Sequence, residues 1–408
     1  MTSPYQLAKE LFPINRSLTG KGNIKSLNIL KRNLNELKIK SFKSGTKVFD
    51  WTIPKEWNIK EAWIKDNLGN KIIDFKNNNL HVISYSEPIK KKLSYDELIK
   101  SLYYLKDKPE AIPYITSYYK KKWGFCISYN YLKSLDKKIN YEVCIKSSKK
   151  NGRMHYAEYL KKGSSKKEII FTSYICHPSM ANNELSGPCI LASLAKWIQN
   201  KNTKYSYRFI FIPETIGSIA YIQKNYQSLK KKILAGYVVS CVGDENSYSY
   251  IPGPQENNTS SSILDLVYKK MKIKAKKYSW YKYRGSDERQ FCSPNIDLPF
   301  STIMRSKFGK YSEYHTSLDK LDTVVTRKGL NQSLILLKNL INNFESSIFP
   351  KSKIKCEPFL EKHNLYLRDQ IKNSKEHLYK FEGRNLLNVL GCCNGKNNVQ
   401  MISKKINL

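Results

Sequence analysis

The sequence predicts an α/β protein: a mixed sheet flanked by helices, with a small nested β-rich unit and a short helical tail. Three observations carry this reading. From Tyr141 onward, runs rich in Ile, Val and Phe alternate with helical stretches, as in sheets buried on both faces. Between Val48 and about residue 94, short alternating segments are separated by turn signals. The chain of 408 residues is 40% hydrophobic and 12% aromatic, which fits a folded soluble protein and excludes a disordered or collagen-like chain. That length suits two or three domains.

The elements follow in order. Residues 1–45 read as helical, because Ile24, Leu27, Leu30, Leu34 and Leu37 recur at spacings of three and four. Phe49-Asp50-Trp51-Thr52-Ile53-Pro54 opens the β-rich stretch. Asn67-Leu68-Gly69-Asn70 and Asn77-Asn78-Asn79 punctuate it as turns. The expected division is 47–94 for this insert, 1–46 and 95–350 for the main domain, and 351–408 for the tail. In the main domain, strands are expected at Tyr141–Lys146, Met154–Leu160, Glu168–Ile175, Tyr207–Ile212, Ile233–Val242 and Phe300–Met304. Helices are expected at Pro188–Gln199, Ser218–Asn225, Ser260–Met271 and Lys328–Phe344. Ser186 suits a helix cap, with Pro188 in the first turn.

The charge is the loudest compositional feature: 71 Lys plus Arg against 34 Asp plus Glu, net +37. Such a balance suggests nucleic acid or an anionic surface. Only ten of the basic residues are Arg, however, whereas base readers lean on Arg for bidentate contacts and stacking. Lys, Asn, Ile and Tyr are abundant together, as an AT-rich coding bias would produce, and the Lys is spread along the chain. A nucleic-acid partner is therefore not expected. The nine cysteines form no CxxC pair and several sit in apolar runs, so they read as small buried hydrophobes of a reducing compartment. No apolar run reaches about 18 residues and the N-terminus lacks a signal pattern, so a cytoplasmic protein without a membrane span is expected; a homo-oligomer is compatible with the sequence.

Potential ligands stand where the apolar strand runs end. His177 follows the first central strand, Glu214 the next, Asp244 the next, and His315 a Gly-containing loop after the last. Open α/β sheets bind ligands beyond the carboxyl ends of their strands. Two imidazoles and two carboxylates at one edge suit zinc. The aromatic cluster Tyr118-Tyr119, Trp123 and Phe125 reads as packing, with base or sugar stacking as its functional alternative.

The segments FDWTIPKEWNI, NNNLHVISYS, IPYITSYYKKKWGFC, YICHPSMANNELSGP, FIPETIGSIAY, CVGDENSYSY, GSDERQFCSP and EYHTSLDKLD resemble a bacterial family of aminopeptidase-like proteins from polysaccharide biosynthesis loci. That family lies within the co-catalytic zinc aminopeptidase and carboxypeptidase superfamily, and the resemblance spans roughly residues 10–345. It implies a zinc-aminopeptidase-like fold, one or two zinc ions, and a peptide or amide-bearing substrate, with a glycan-linked precursor as one class. It implies His177, Asn183, Glu214, Asp244 and His315 as metal positions. Ser286 and Asp287 match a Ser-Asp pair lining the site. Residues 385–408 resemble the first helices of a winged helix.

This sequence departs from the superfamily pattern twice. Asn183 stands where a bridging Asp is expected, so a second ion would be held weakly and a single zinc is the alternative. Pro213-Glu214 replaces two adjacent glutamates, one base and one ligand. The base must then be Glu214 itself, Glu184 or Glu288, with Asp287 also in the catalytic set. Arg289, Ser286 and Tyr314 are the expected substrate contacts. The readings carried forward are a zinc-dependent amide hydrolase of aminopeptidase type, a deacylase of an acylated amino sugar, and a non-catalytic binding protein with a degraded metal site.

Overall fold

The computed structural model describes residues 2–363, 365 and 377–407. Among them an eight-stranded mixed sheet runs in the order Lys38–Lys43, Arg153–Lys161, Ser206–Ile212, Glu168–Tyr174, Ile233–Val239, Phe300–Met304, Tyr248–Ile251 and Ala275–Lys277. The four central strands, from Ser206–Ile212 to Phe300–Met304, are parallel. Glu168–Tyr174 and Ile233–Val239 are buried along their whole length. This is the continuous burial that a sheet covered on both faces requires.

One face carries the helices Pro4–Leu11, Lys21–Asn33, Ser186–Ile198, Thr259–Lys270 and Arg327–Ser346. They pack over Phe171, Phe209, Tyr237 and Tyr159, and the Phe171 ring stacks at 5.5 Å on both Phe209 and Tyr237. The other face carries the helix Ile216–Lys232 and the short turns around Trp280 and Phe291. The expected mixed sheet between helical layers is the fold observed.

Several local expectations change. Residues 38–43 are not helical; they pair antiparallel with Arg153–Lys161 at the sheet edge. The strand at Asn140–Lys150 leaves the main sheet and joins Glu56–Lys65, Lys71–Asp74 and Ile89–Ser94 in a separate four-stranded sheet. The core of that unit runs on through Leu102, Phe125, Leu132 and Val143, so the β-rich unit draws on residues well beyond 94. The last central strand before Asp244 stops at Val239 instead of Val242. Ser186 caps nothing: its hydroxyl donates to the Asn182 carbonyl and accepts from Val242 N, inside a π-turn at Ala181–Leu185. The tail holds helices at His377–Cys392 and Val399–Ile406, and residues 366–376, which precede both, lie outside the described residues.

The strand order fixes where a site can form. Glu168–Tyr174 leads on to Ser206–Ile212 on one side, whereas its other neighbour, Ile233–Val239, leads on to Tyr248–Ile251 on the far side, so the connections of these two adjacent strands leave in opposite directions. A crevice opens at such a switch point, beyond the carboxyl ends of the strands.

Candidate metal centre

The loops leaving the carboxyl ends of the central strands carry the chemistry. Each has a non-glycine residue in the left-handed region: Ser179 at φ 41°, Thr215 at 64°, Cys241 at 51° and His315 at 56°. Such residues cost of order 1–3 kcal/mol each and persist where the surroundings over-determine them. Here the holds are visible. Thr215 N donates to Asp287 Oδ1 at 2.7 Å, Tyr114 N to the His315 carbonyl at 2.8 Å, and Arg305 N to the Cys241 carbonyl at 2.8 Å.

His177 is the centre of the arrangement. Its Nδ1 lies 2.8 Å from Glu184 Oε2, and its Nε2 lies 3.7 Å from Glu214 Oε2. With Nδ1–H donated to Glu184, Nε2 is the nitrogen that faces Glu214, and it offers a lone pair to a metal once its proton is displaced. Behind this pair stands Arg16, wholly buried with Glu184. Its Nε is 3.5 Å from Glu184 Oε1 and donates to the His177 carbonyl at 3.0 Å; Nη1 donates to the Leu11 carbonyl at 2.6 Å. The buried carboxylate thus has its counter-charge from a residue 161 positions away from His177.

Burial disfavours charge on His177, but Cys176 and Glu184 outweigh it and hold its pKa well above the ordinary histidine value. Burial also pushes the Cys176 thiol up to about 11, so at neutral pH the thiol is uncharged and Glu184 carries the effect. Cys176, His177 and Glu184 have ligand atoms within 4.8 Å of one another. That cluster is a poor metal site in itself, because it opens on the Arg16 guanidinium. It reads better as the support behind Nε2.

Glu214 Oε1 accepts from Ser286 Oγ at 2.9 Å, and its side chain keeps 22% of its surface exposed. Burial raises its pKa, against His177, Ser286 and Arg289, which pull it down. The His315 ring faces that of His177 at 5.6 Å between centres. Tyr114 packs on both, at 5.0 and 5.2 Å. Tyr314 stacks flat on His315 at 3.9 Å. Burial, with His177 nearby, lowers the His315 pKa to about 3, so this imidazole is neutral and able to ligate.

The remaining expected site residues are engaged otherwise. Asp244 accepts four hydrogen bonds, from Asn182 Nδ2, Asn246 N, Ser306 N and Ser306 Oγ, at 2.8 to 3.0 Å. The structure does not bring it to His177: the strand ends at Val239, and the loop carries Asp244 across to Ser306. Ser240 stands at the strand end instead, its hydroxyl against Tyr174 Oη and the Asn183 carbonyl.

Asn183 is clamped. Its N donates to Asp319 Oδ2 at 2.9 Å, and its Oδ1 accepts from Tyr174 Oη at 3.1 Å. Around the Asn183 amide oxygen stand a phenol, a hydroxyl and a buried thiol, none of them anionic, and the nearby Asp319 carboxylate is taken up by the Asn182 and Asn183 amides and by Tyr311 Oη. Glu288 accepts from Gly285 N, Ser286 N and Thr302 Oγ1, wholly buried, and so shapes the Ser286 loop instead of reaching water. Asp287, also buried, holds Thr215; burial and Glu214 raise its pKa to about 8. Arg289 is exposed and donates to Thr215 Oγ1 at 2.8 Å.

His177 Nε2 and the Glu214 carboxylate are the closest donors at this edge, 3.7 Å apart, near the roughly 3.4 Å that separates two ligands about 2.0–2.1 Å from one tetrahedral zinc. The His315 imidazole flanks them, its ring centre 5.6 Å from that of His177. Imidazole and carboxylate are residue types that bind zinc, and this pair with its flanking imidazole offers donors for one ion and not for two. Residues that the sequence reading passed over are Arg16, Tyr114, Tyr174, Ser240 and Asp319. None carries a sequence signal, since each acts through a partner far along the chain.

The mixed sheet between helical layers is a zinc-aminopeptidase-like fold. The zinc aminopeptidase BSAP of Bacillus subtilis shares it at a TM-score of 0.59 with 12% identity, covering 84% of this chain and 95% of that one. The family described as a domain of unknown function, DUF4910, matches residues 5–347, and the chain belongs to it. A Clostridium acetobutylicum protein described as a polysaccharide biosynthesis protein with an aminopeptidase-like domain is 41% identical over 98% of this chain and 90% of its own length. A crystal structure of a protein described as a peptidase from the same organism superposes at a TM-score of 0.83 with 40% identity, over 99% of this chain and 91% of that one. No helix among the described residues is long and apolar enough to cross a membrane.

Proposed function

We propose that this chain is a single-zinc amide hydrolase of aminopeptidase type, acting on a peptide or amide-bearing precursor in polysaccharide biosynthesis. The observation that carries the reading is the pose of His177: Nδ1 bound to Glu184, and Nε2 turned to Glu214 Oε2 at 3.7 Å beside His315. His177, Glu214 and His315 would hold the ion. Zinc bound there supplies Lewis acidity to a carbonyl oxygen and lowers the pKa of a coordinated water.

The chain's own residues do the rest. Ser286 orients Glu214 through Oε1, and Tyr314 and Tyr114 fix the His315 ring. Glu184 and Glu288 are buried and consumed by partners, so neither is free beside the ligand Glu214 to take the proton of an attacking water. Arg289 at the rim is placed to meet a substrate carboxylate or phosphate. The same shortage of a second free carboxylate favours one alternative: metal-dependent recognition without turnover.

Metal analysis of protein purified without chelators should give about one zinc per chain, lost in His177→Ala and His315→Ala. Amine release from aminoacyl anilides or N-acyl amino sugars, abolished in Glu214→Gln, supports hydrolysis. A protein that takes up no zinc from added salt would sink both readings. Zinc uptake without amine release would leave the recognition reading.

A further inference from the structure

A cavity of about 290 Å³ lies one helical turn along the chain from the residue after Glu214 and includes none of the candidate metal ligands. Its walls include Phe49, Asp50 and Trp51 of the nested unit, Ile219 of the helix Ile216–Lys232, and Gln290 and Asn295 of the segment after Arg289. We propose that this cavity is a saccharide subsite, in which a pyranose lays its C–H face on Trp51 or Phe49 and turns its hydroxyls to Asp50, Gln290 and Asn295. The proposal deepens the hydrolase reading by naming the part of the substrate that carries the amide.

The first support is the exposure of the rings. Phe49 is 56% exposed, Trp51 40% and Tyr119, which tilts against Trp51, 57%. Several other rings on this Lys-rich surface carry an ammonium, Trp63, Tyr103, Tyr129, Trp197, Tyr205 and Tyr226 each having a lysine within 5.4 Å of the ring centre, although Tyr281, 70% exposed, does not. No cation lies over Phe49, Trp51 or Tyr119 among the described residues. Their faces are left bare.

The second support is the backbone. Phe49 occupies the left-handed region at φ 51° in the turn between Lys47–Val48 and Trp51–Thr52. Glycine or asparagine takes that conformation with less strain, so folding alone gives no reason for an exposed phenylalanine there. The turn is also held rigidly: Phe49 N donates to Gln223 Oε1 at 2.8 Å, Tyr119 Oη donates to the Thr52 carbonyl at 3.1 Å, and Val48 is buried. Pre-set aromatic walls with a few polar groups at the rim are the make-up of a small-molecule pocket.

The third support is continuity with the metal centre. Ile219 N donates to the Thr215 carbonyl at 2.9 Å, and Gln290 follows Arg289, whose guanidinium donates to Thr215 Oγ1. The cavity thus begins one helical turn, about 5.4 Å, from the residue next to Glu214. The walls join apolar surface from Phe49, Trp51, Ile219, Ile222, Pro294 and Ile296 to the carboxylate and amides of Asp50, Gln290 and Asn295, and a pyranose meets the first with its C–H face and the second with its hydroxyl edge.

The test is titration of the full chain with the N-acetylglucosamine tetramer and with maltotetraose, followed by calorimetry and tryptophan fluorescence, in zinc-loaded and chelator-treated protein. The expected result is saturable binding of at least one sugar, with similar affinity in both protein forms. Trp51→Ala should weaken it about tenfold or more, as loss of a stacking surface does. Phe49→Gly should weaken binding while melting no lower than wild type, since it relieves the turn. The proposal is overturned if neither sugar binds saturably, or if both variants bind as wild type does. It is equally overturned if a tyrosine-containing peptide shows the Trp51-dependent binding instead. Sugar binding by a chain that holds no zinc would defeat the hydrolase reading alone; peptide hydrolysis without sugar affinity would defeat this proposal alone.

Discussion

Arg16→Met tests the support behind the metal centre. The substitution keeps the length of an apolar stem and deletes the charge. It leaves the Glu184 carboxylate with no exposed surface and no cation at 3.5 Å, and it strands the carbonyls of Leu11 and His177. Breaking a buried pair by removing one partner costs about 3–5 kcal/mol, and the stranded carbonyls add a share of about 1 kcal/mol each. A loss of about 6 kcal/mol is the central expectation. Because Glu184 fixes the His177 tautomer, zinc affinity should fall by about 10–100-fold, the usual effect of losing an outer partner.

Urea unfolding in chelator measures the first quantity, and competition with a chelating dye measures the second. A double-mutant cycle with Glu184→Gln isolates the pair: the double variant should be less destabilised than the sum of the singles by more than about 1 kcal/mol. A variant that loses under about 1 kcal/mol and binds zinc as wild type does would show that the Arg16–Glu184–His177 chain of contacts is not what holds the imidazole.

Three further outcomes are expected. Asp244→Ala should leave zinc content unchanged while costing about 3–5 kcal/mol, because four donors lose their acceptor; a drop in zinc by metal analysis would restore Asp244 as a ligand. Asn183→Asp should still bind one zinc per chain by titration, since Tyr174 and Ser240 beside it stay neutral; a second equivalent would refute the single-ion site. Burial raises the Asp319 pKa to about 6, despite hydrogen bonds from Asn182, Asn183 and Tyr311. Its unfolded pKa is about 3.9, so stability should fall by order 2–3 kcal/mol as pH rises between about 4 and 6. Asp319→Asn should remove that slope in urea midpoints, whatever it does to the baseline.

That His177, Glu214 and His315 stand near one another was legible because apolar runs mark strands, and a parallel sheet delivers its strand ends to one edge. Asp244 was misplaced for a related reason. Val242 prolongs the apolar run, so the sequence does not show that the ladder stops at Val239 and the turn begins at Ser240. The strand at Asn140–Lys150 has the composition of a central strand, and only its partners, Glu56–Lys65 and Ile89–Ser94, place it in the smaller sheet. Arg16 and Asp319 were invisible as site supports. Each meets its partner across more than a hundred residues, and no periodicity records such a meeting. Glu184 and Glu288 looked like free acids because sequence cannot tell a carboxylate that faces water from one that is already spoken for.

Tyr114 carries a consequence for how this chain can be cut and rearranged. It belongs to the long excursion between the strand at Lys38–Lys43 and the one at Arg153–Lys161, yet its amide grips the His315 carbonyl and its ring wedges against both histidines. Ser317 N, two residues past His315, reaches back to the Ile112 carbonyl of the same excursion. The excursion is therefore not a removable module grafted on a self-sufficient scaffold. A shortened protein that loops directly from one strand to the other could keep its main sheet and still lose the pose of His315. In any family-wide exchange of parts, this segment and the His315 loop would have to travel together.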